Sequence, residues 1–585
     1  MRRYGLVLKM FLALAMILAL STTALSQPKN AGANLVLLNG TIYTVNEKVD
    51  WDKQPQEAIA INGTRIAYVG NDSGALDFIG PESRVIDLQG KMVLPGFIES
   101  HMHPSIAGSL MSGVILVNAK IRDEYLELVK TYAMEHPNAS VIRGFGWIHD
   151  AFGPNGPTKE LLDSIVPDKP VALVNIDTHS SWVNSKALEM AGITKDTPDP
   201  AGGVIERDSE GNPSGTLEEP SAENLVGSKL PPLSDEEIVQ GLVKVLDMAS
   251  GYGITTASDC NIINEELMKA YSDLDKEGKL NVRIRGERFC DPKLGESQVP
   301  ALVAERSNYS SGLLCMKTAK LLIDGVSEAH TALLLEPYAD RPGFKGTPIW
   351  DPEIFNETIA ALDKAGFQIE VHSIGDGAVR MTLNAYENAM KENGKRDSRH
   401  KVAHVVLLSP QDLPRFKALG VIPVLSPNWF YYDSNYETNN LPNMGQERAE
   451  HMYPMKSIVG SGAVVAIGTD FPAGGDYLTI NPLDGIRTGI VRLPLAQDTN
   501  VTKPMWPEEK VDLKTLIECA TINGAYAAFL ENETGSLEVG KMADLIVLDK
   551  DLFKLPLEEI NKARVLNTIL EGREVYGSFD EKDTK

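Results

Sequence analysis

Eight short, strand-like apolar runs punctuate the middle of the chain: Met92–Glu99, Ile254–Asp259, Val282–Glu287, Lys317–Asp324, Phe367–His372, Lys401–Leu407, Val421–Ser426 and Ala463–Thr469. Amphipathic or Ala-rich stretches such as Pro352–Ala365 and Ala378–Asn393 fill several of the gaps between them. A buried strand followed by a helical stretch is the pattern of a βα unit. Eight such units predict an α/β fold, a (β/α)8 TIM-like barrel with its site at the C-terminal ends of the strands. The interval between the first two runs is too long for one unit. It carries β-like runs of its own, Ser140–Trp147 and Pro170–Asp177, and reads as a cap inserted over about 107–240. At both ends the texture changes to short β-rich runs. Asn34–Val45, Glu57–Gly70 and Ser83–Asp87 contain the turn pairs Asn39-Gly40 and Asn62-Gly63. Ala543–Asp549 and Glu571–Tyr576 look alike. A small β-sandwich built from both termini is expected, from residues 27–92 and 536–585, around a barrel over 93–535.

The polar residues that interrupt these runs carry the chemistry. The first run leads into His101-Met-His103, and alternate side chains of a strand share a face, so both imidazoles aim at one point. The fifth run ends at His372, the sixth carries His404, and the eighth leads into Asp470. Any one of these alone is weak, because a single strand-end histidine is commonly a core or rim residue. Together they place five potential ligands at one mouth of one barrel. Imidazole and carboxylate suit zinc and related divalent ions, one or two of them. Such an ion acidifies water and polarises a carbonyl, and a carboxylate at Asp470 can take a proton and return it to a leaving amine. Hydrolysis of an amide-like C–N bond in a small molecule follows as the expected reaction.

The string Leu94-Pro-Gly-Phe-Ile-Glu-Ser-His-Met-His103 resembles the metal-binding start of the amidohydrolase superfamily. Four further segments resemble its YtcJ-like branch, which includes N-substituted formamide deformylases. They are Asp177–Leu188, His372–Asp376, Gly468–Pro472 and Gly535–Asp544. The resemblance implies that His101 and His103 hold one ion and His372 and His404 a second, with Asp470 touching the first. It implies a bridging lysine, carboxylated by carbon dioxide, at Lys320, with Lys317 nearby. It also implies that His179 reaches into the site to hold the substrate or its carbonyl oxygen, although a structural role for this histidine stays open. Glu219 matches a position common in the branch and also reads as a solvated loop acid; Trp147 and His149 are left undecided as pocket residues. One departure stands out: the branch has Glu before the sixth-strand histidine, and here that residue is Ala403. His136, His330, His400 and His451 are read as surface or core residues, with His330 the nearest to the expected site.

Composition narrows the partners. A hydrophobic fraction of 43% with 23% charged residues is ordinary for a globular protein. A net charge of −24 disfavours nucleic acid and anionic membrane surfaces. Arg2, Arg3 and Lys9 precede the apolar run Met10–Leu20, and Ala24-Leu25-Ser26 fits a cleavage site. A signal peptide over 1–26, cleaved near Ser26/Gln27, is expected, hence a secreted or periplasmic protein without a stable membrane anchor; a retained segment is the alternative. Cys260, Cys290, Cys315 and Cys519 are too scattered for a stapled scaffold and read as free thiols. Homodimerisation is only a general expectation. Competing functions are a deaminase or lactonase/esterase on the same barrel, or a non-catalytic periplasmic binding protein, against which Asp470 argues.

Overall fold

The computed structural model describes residues 32–579, apart from 118, 153–155, 177–179, 201–202, 434–435, 474–478 and 496–500. The expected leader, and His179 with it, lie outside the described residues. Among the described residues no helix is long and apolar enough to cross a membrane.

Eight strands form one parallel sheet in sequential order. We label them β1 (Phe97–Met102), β2 (Ile254–Ile262), β3 (Arg283–Phe289), β4 (Leu314–Leu322), β5 (Gln368–Ser373), β6 (Lys401–His404), β7 (Ile422–Leu425) and β8 (Ala466–Ile467). Seven of the eight apolar runs, and the C-terminal part of the first, therefore appear as barrel strands, in order. Helices separate them, among them Glu265–Lys276, Val299–Tyr309, Pro352–Lys364 and Asp376–Asn393. Asp351 starts the third of these by accepting from the backbone N–H groups of Glu353 and Ile354, which an N-terminal turn otherwise leaves unpaired.

The first run differs from expectation. Met92–Pro95 belongs to a different sheet, and only Phe97–Met102 enters the barrel. Gly96 is the joint. A Cβ there would sit 2.2 Å from the Thr255 side chain, so the chain passes over β2 too closely for any other residue. Met92–Pro95 pairs antiparallel with Leu545–Leu548 in a five-stranded sheet drawn from both ends of the chain. A four-stranded sheet from residues 35–87 lies against it, and Leu35, Leu37, Ile59 and Ile61 share a core with Val93, Leu545, Val547 and Ile569.

Between β1 and β2, a six-stranded sheet with its own core of Tyr125, Trp147, Leu173 and Trp182 stands apart from the barrel core. The chain returns to the barrel through Asp235–Gly251, a helix opened by a reciprocal Ser234–Glu237 cap.

β8 and β1 meet at a seam. Asp470 N–H donates to His101 O at 2.8 Å and His103 N–H to Phe471 O at 2.7 Å. The Glu99 carboxyl accepts from the backbone N–H of Thr469 at 2.8 Å and of His101 at 3.3 Å. Gly468 makes the approach feasible, because a Cβ would fall 2.5 Å from His101 N and 2.6 Å from Glu99 Oε1. Gly468→Ala is expected to destabilise the protein by about 1–3 kcal/mol through overpacking. A urea midpoint unchanged by this substitution would show that the seam has slack.

Candidate metal centre

β1 ends by placing His101 and His103 on one side of the strand. His101 is buried, and His103 is half-buried at the rim. Their Nε2 atoms converge on one oxygen: Asp470 Oδ1 lies 3.1 Å from that of His101 and 2.9 Å from that of His103. The His404 ring stands 4.8 Å from the His101 ring, centre to centre, and 4.6 Å from that of His372. Donor atoms of His101, His404 and Asp470 all lie within 4.8 Å of one another. The structure thus gathers the five strand-end candidates at one mouth.

Two of them sit on strained backbone. His404 has φ 76° and Asp470 φ 61°, a left-handed conformation that costs roughly 1–3 kcal/mol for a non-glycine residue. Asp tolerates it better than His. His404 is steadied by the indole of Trp429, stacked at 5.3 Å and 14° between planes.

The donor set fits a divalent ion. Donors sharing one ion at about 2.0–2.2 Å must approach as closely as these nitrogens approach Asp470 Oδ1. The Nδ1 atoms of His103 and His404 are buried without a hydrogen-bond partner, which is costly unless something else engages the rings. Burial and the neighbouring His372 hold the His404 imidazole well below its ordinary pKa, leaving a neutral ring with a lone pair to offer. Burial opposes ionisation of Asp470, yet His101 and His103 hold its carboxyl well below the usual range. Burial and Lys320 push His101 down, the Glu370 and Asp470 carboxylates outweigh them, and the pKa rises to about 9.

Lys320 is buried near the C-terminal end of β4. Its Nζ lies 2.8 Å from Glu370 Oε1 on β5. Lys401 Nζ, on β6, lies 2.7 Å from Glu370 Oε2 and also pairs with Glu287 on β3. These four charges fill a barrel interior that bulky apolar side chains usually occupy. Sequence reading passed over Glu370, Lys401 and Glu287. The available signal for Glu370 was its register: it precedes His372 by two residues and shares its face. Asp324 was also missed. Its carboxylate accepts from Leu333, Ile374 and Gly375 N–H groups and lies 3.3 Å from His372 Nδ1.

The other candidates have structural explanations. Trp147 is buried in the cap core, donating to Leu173 O. His149 Nε2 is 3.0 Å from Ser180 Oγ, which donates to Glu218. Glu219 is exposed, at φ 68°. Lys317 is exposed too. His330 pairs with Asp340 at 2.8 Å, and His400 with Asp363 at 3.1 Å. His136 and His451 contact the carbonyls of Tyr132 and Glu447, one helical turn before each. All four cysteines are free.

The family model described as "Amidohydrolase family" matches residues 84–576. This chain belongs to the amidohydrolase family. Membership makes it a hydrolase of carbon–nitrogen bonds. The chain is 32% identical to Protein LONG AFTER FAR-RED 3 of Arabidopsis thaliana, over 94% of this chain and 93% of that one. It is 27% identical to an N-substituted formamide deformylase of Arthrobacter pascens, over 92% and 97%, which agrees with the branch resemblance. A solved structure, an uncharacterized metal-dependent hydrolase from Pyrococcus furiosus, superposes with a TM-score of 0.69 at 27% identity, covering 88% of this chain and 99% of that one.

Beneath the seam, burial pushes the Glu99 carboxyl up to about 8, so it is uncharged at neutral pH. The stability this protonated group contributes is fully present below its ordinary value of 4.5 and drains away as pH rises through about 8. Glu99→Gln keeps the acceptor oxygen. It is expected to fold normally at pH 7 and to flatten the loss of stability between pH 5 and 8, read from urea midpoints across that range. A variant as steep as the parent would place the titration elsewhere.

Proposed function

We propose that this amidohydrolase cleaves a non-peptide, amide-like C–N bond of a small molecule at a centre held by His101, His103, His372, His404 and Asp470. The observation that carries the reading is the convergence of two imidazole Nε2 atoms on one Asp470 oxygen beside the neutral His404. A bound divalent ion, zinc being the best match to these donors, supplies Lewis acidity there. His101 and His103 would hold the first ion and His372 and His404 the second; the carboxylated lysine of the branch corresponds to Lys320, whose ammonium pairs with Glu370 in the ion-free state. Asp470 carries the proton. Held ionised by the two histidines, its carboxylate accepts a proton from the attacking water and passes it to the departing nitrogen. Burial at the mouth excludes bulk water and strengthens every charge interaction in the site. By resemblance alone, His179 is a substrate-holding residue in the same reading.

The formamide deformylase of Arthrobacter pascens supports small N-acyl or N-formyl compounds as the first substrates to screen. The leader-like N-terminus supports export, and the N-terminal sequence of the mature protein, expected at Gln27, tests it.

Two measurements test the centre. Asp470→Asn is expected to lower turnover of any amide substrate by about 10²–10⁴-fold with the fold intact. Elemental analysis should find two metal equivalents, falling to one or fewer in His372→Ala and in Lys320→Ala. One equivalent indifferent to Lys320 would remove the bridge from the reading. No metal under any loading condition would overturn the centre itself.

A further inference from the structure

Glu370 faces the back of the candidate centre. Its Oε1 lies 2.6 Å from His101 Nδ1, on the opposite side of the ring from the Nε2 that meets Asp470. The N–H direction is off the line to Oε1, so the contact as it stands is chiefly electrostatic. The same arrangement recurs at a second candidate ligand, where the buried Asp324 carboxylate lies behind His372 Nδ1. A carboxylate behind an imidazole puts the ring proton on Nδ1 and leaves Nε2 free to bind an ion. His101, Cys260 and Glu370 also cluster closely enough to suggest a separate ion site. The ammonium of Lys401 against Glu370 Oε2 opposes that whichever form Lys320 takes, because it already neutralises the carboxylate and repels a further cation.

We infer that Glu370 is a positioning residue that fixes the tautomer and orientation of His101, and that Lys401, held by Glu287, keeps the Glu370 carboxylate in place. This rests on the proposed metal centre. Each contact is buried: Glu287 and Glu370 are 0% exposed, and Lys320 and Lys401 are 2%. A carboxylate so enclosed is shut off from bulk solvent, so Lys401 and His101 settle its orientation. Glu287 touches Lys401 and not His101, which separates charge balance from ring positioning.

The test is zinc affinity of the full-length protein, measured by competition with a chromogenic chelator, with urea midpoints recorded alongside. Glu370→Gln is expected to weaken zinc binding by about 10- to 100-fold. Glu287→Gln, which acts only through Lys401, is expected to lower stability and to weaken zinc binding less than Glu370→Gln does. Unchanged affinity in Glu370→Gln, or equal losses in both variants, would overturn the proposal. Should Glu370→Gln fail to fold, the double variant Glu370→Gln/Lys401→Met removes one charge of each sign and carries the same expectation. A second reading needs no variant of Glu370. In zinc-loaded wild type labelled with ¹⁵N-histidine, the His101 ring should carry its proton on Nδ1, and a proton on Nε2 overturns the role assigned to Glu370. A wild type that binds no zinc overturns the metal centre as well, whereas zinc binding that ignores Glu370 overturns this inference alone.

Discussion

The contact between Asp470 and the two histidines of β1 joins two things that could have been separate. It brings the last barrel strand to the first, and it brings the donors from the two strands together. Closure of the sheet and assembly of the site are therefore one event at one seam. The approach needs a residue without a side chain at 468 and a buried carboxyl at 99 to accept the backbone N–H groups exposed there. Left-handed backbone at Asp470 is the strain that accompanies this geometry, and strain of that kind gathers at functional sites.

Below the seam the barrel holds charge where apolar packing would be simpler. In the ion-free state Lys320, Lys401, Glu287 and Glu370 balance two positive against two negative groups, with His101 at the edge. Burying ions costs several kcal/mol each before any attraction is counted, and apolar replacements often stabilise such clusters. A site that must hold an imidazole in one tautomer gives a reason to keep charge here. Burial that penalises each group also stops it from relaxing into water, which makes the arrangement rigid.

The cap shows a different division of labour. Its own core and sheet set it apart from the barrel, and Trp147 and Trp182 serve that core. Its loops belong to the part of such folds that varies most freely.

Periodicity alone gave the eight barrel strands, their order and the five residues at their ends, because each of these signals is local. A buried strand needs an apolar run, and a donor at its C-terminal end stands next to it in sequence. The split of Met92–Glu99 at Gly96 was not legible, since nothing within the run says that Pro95 pairs with Leu545, 450 positions away. Glu370, Lys401, Glu287 and Asp324 were not legible as partners either. Glu287 sits among three arginines of β3 and Asp324 just past the end of β4, and the meaning of each of the four depends on which strand lies beside it. The sequence by itself determined the barrel and the chemical character of its mouth, because those follow from short-range pattern. Only the tertiary structure decided how each histidine is held, because a buried charge is defined by the neighbours that long-range folding brings to it.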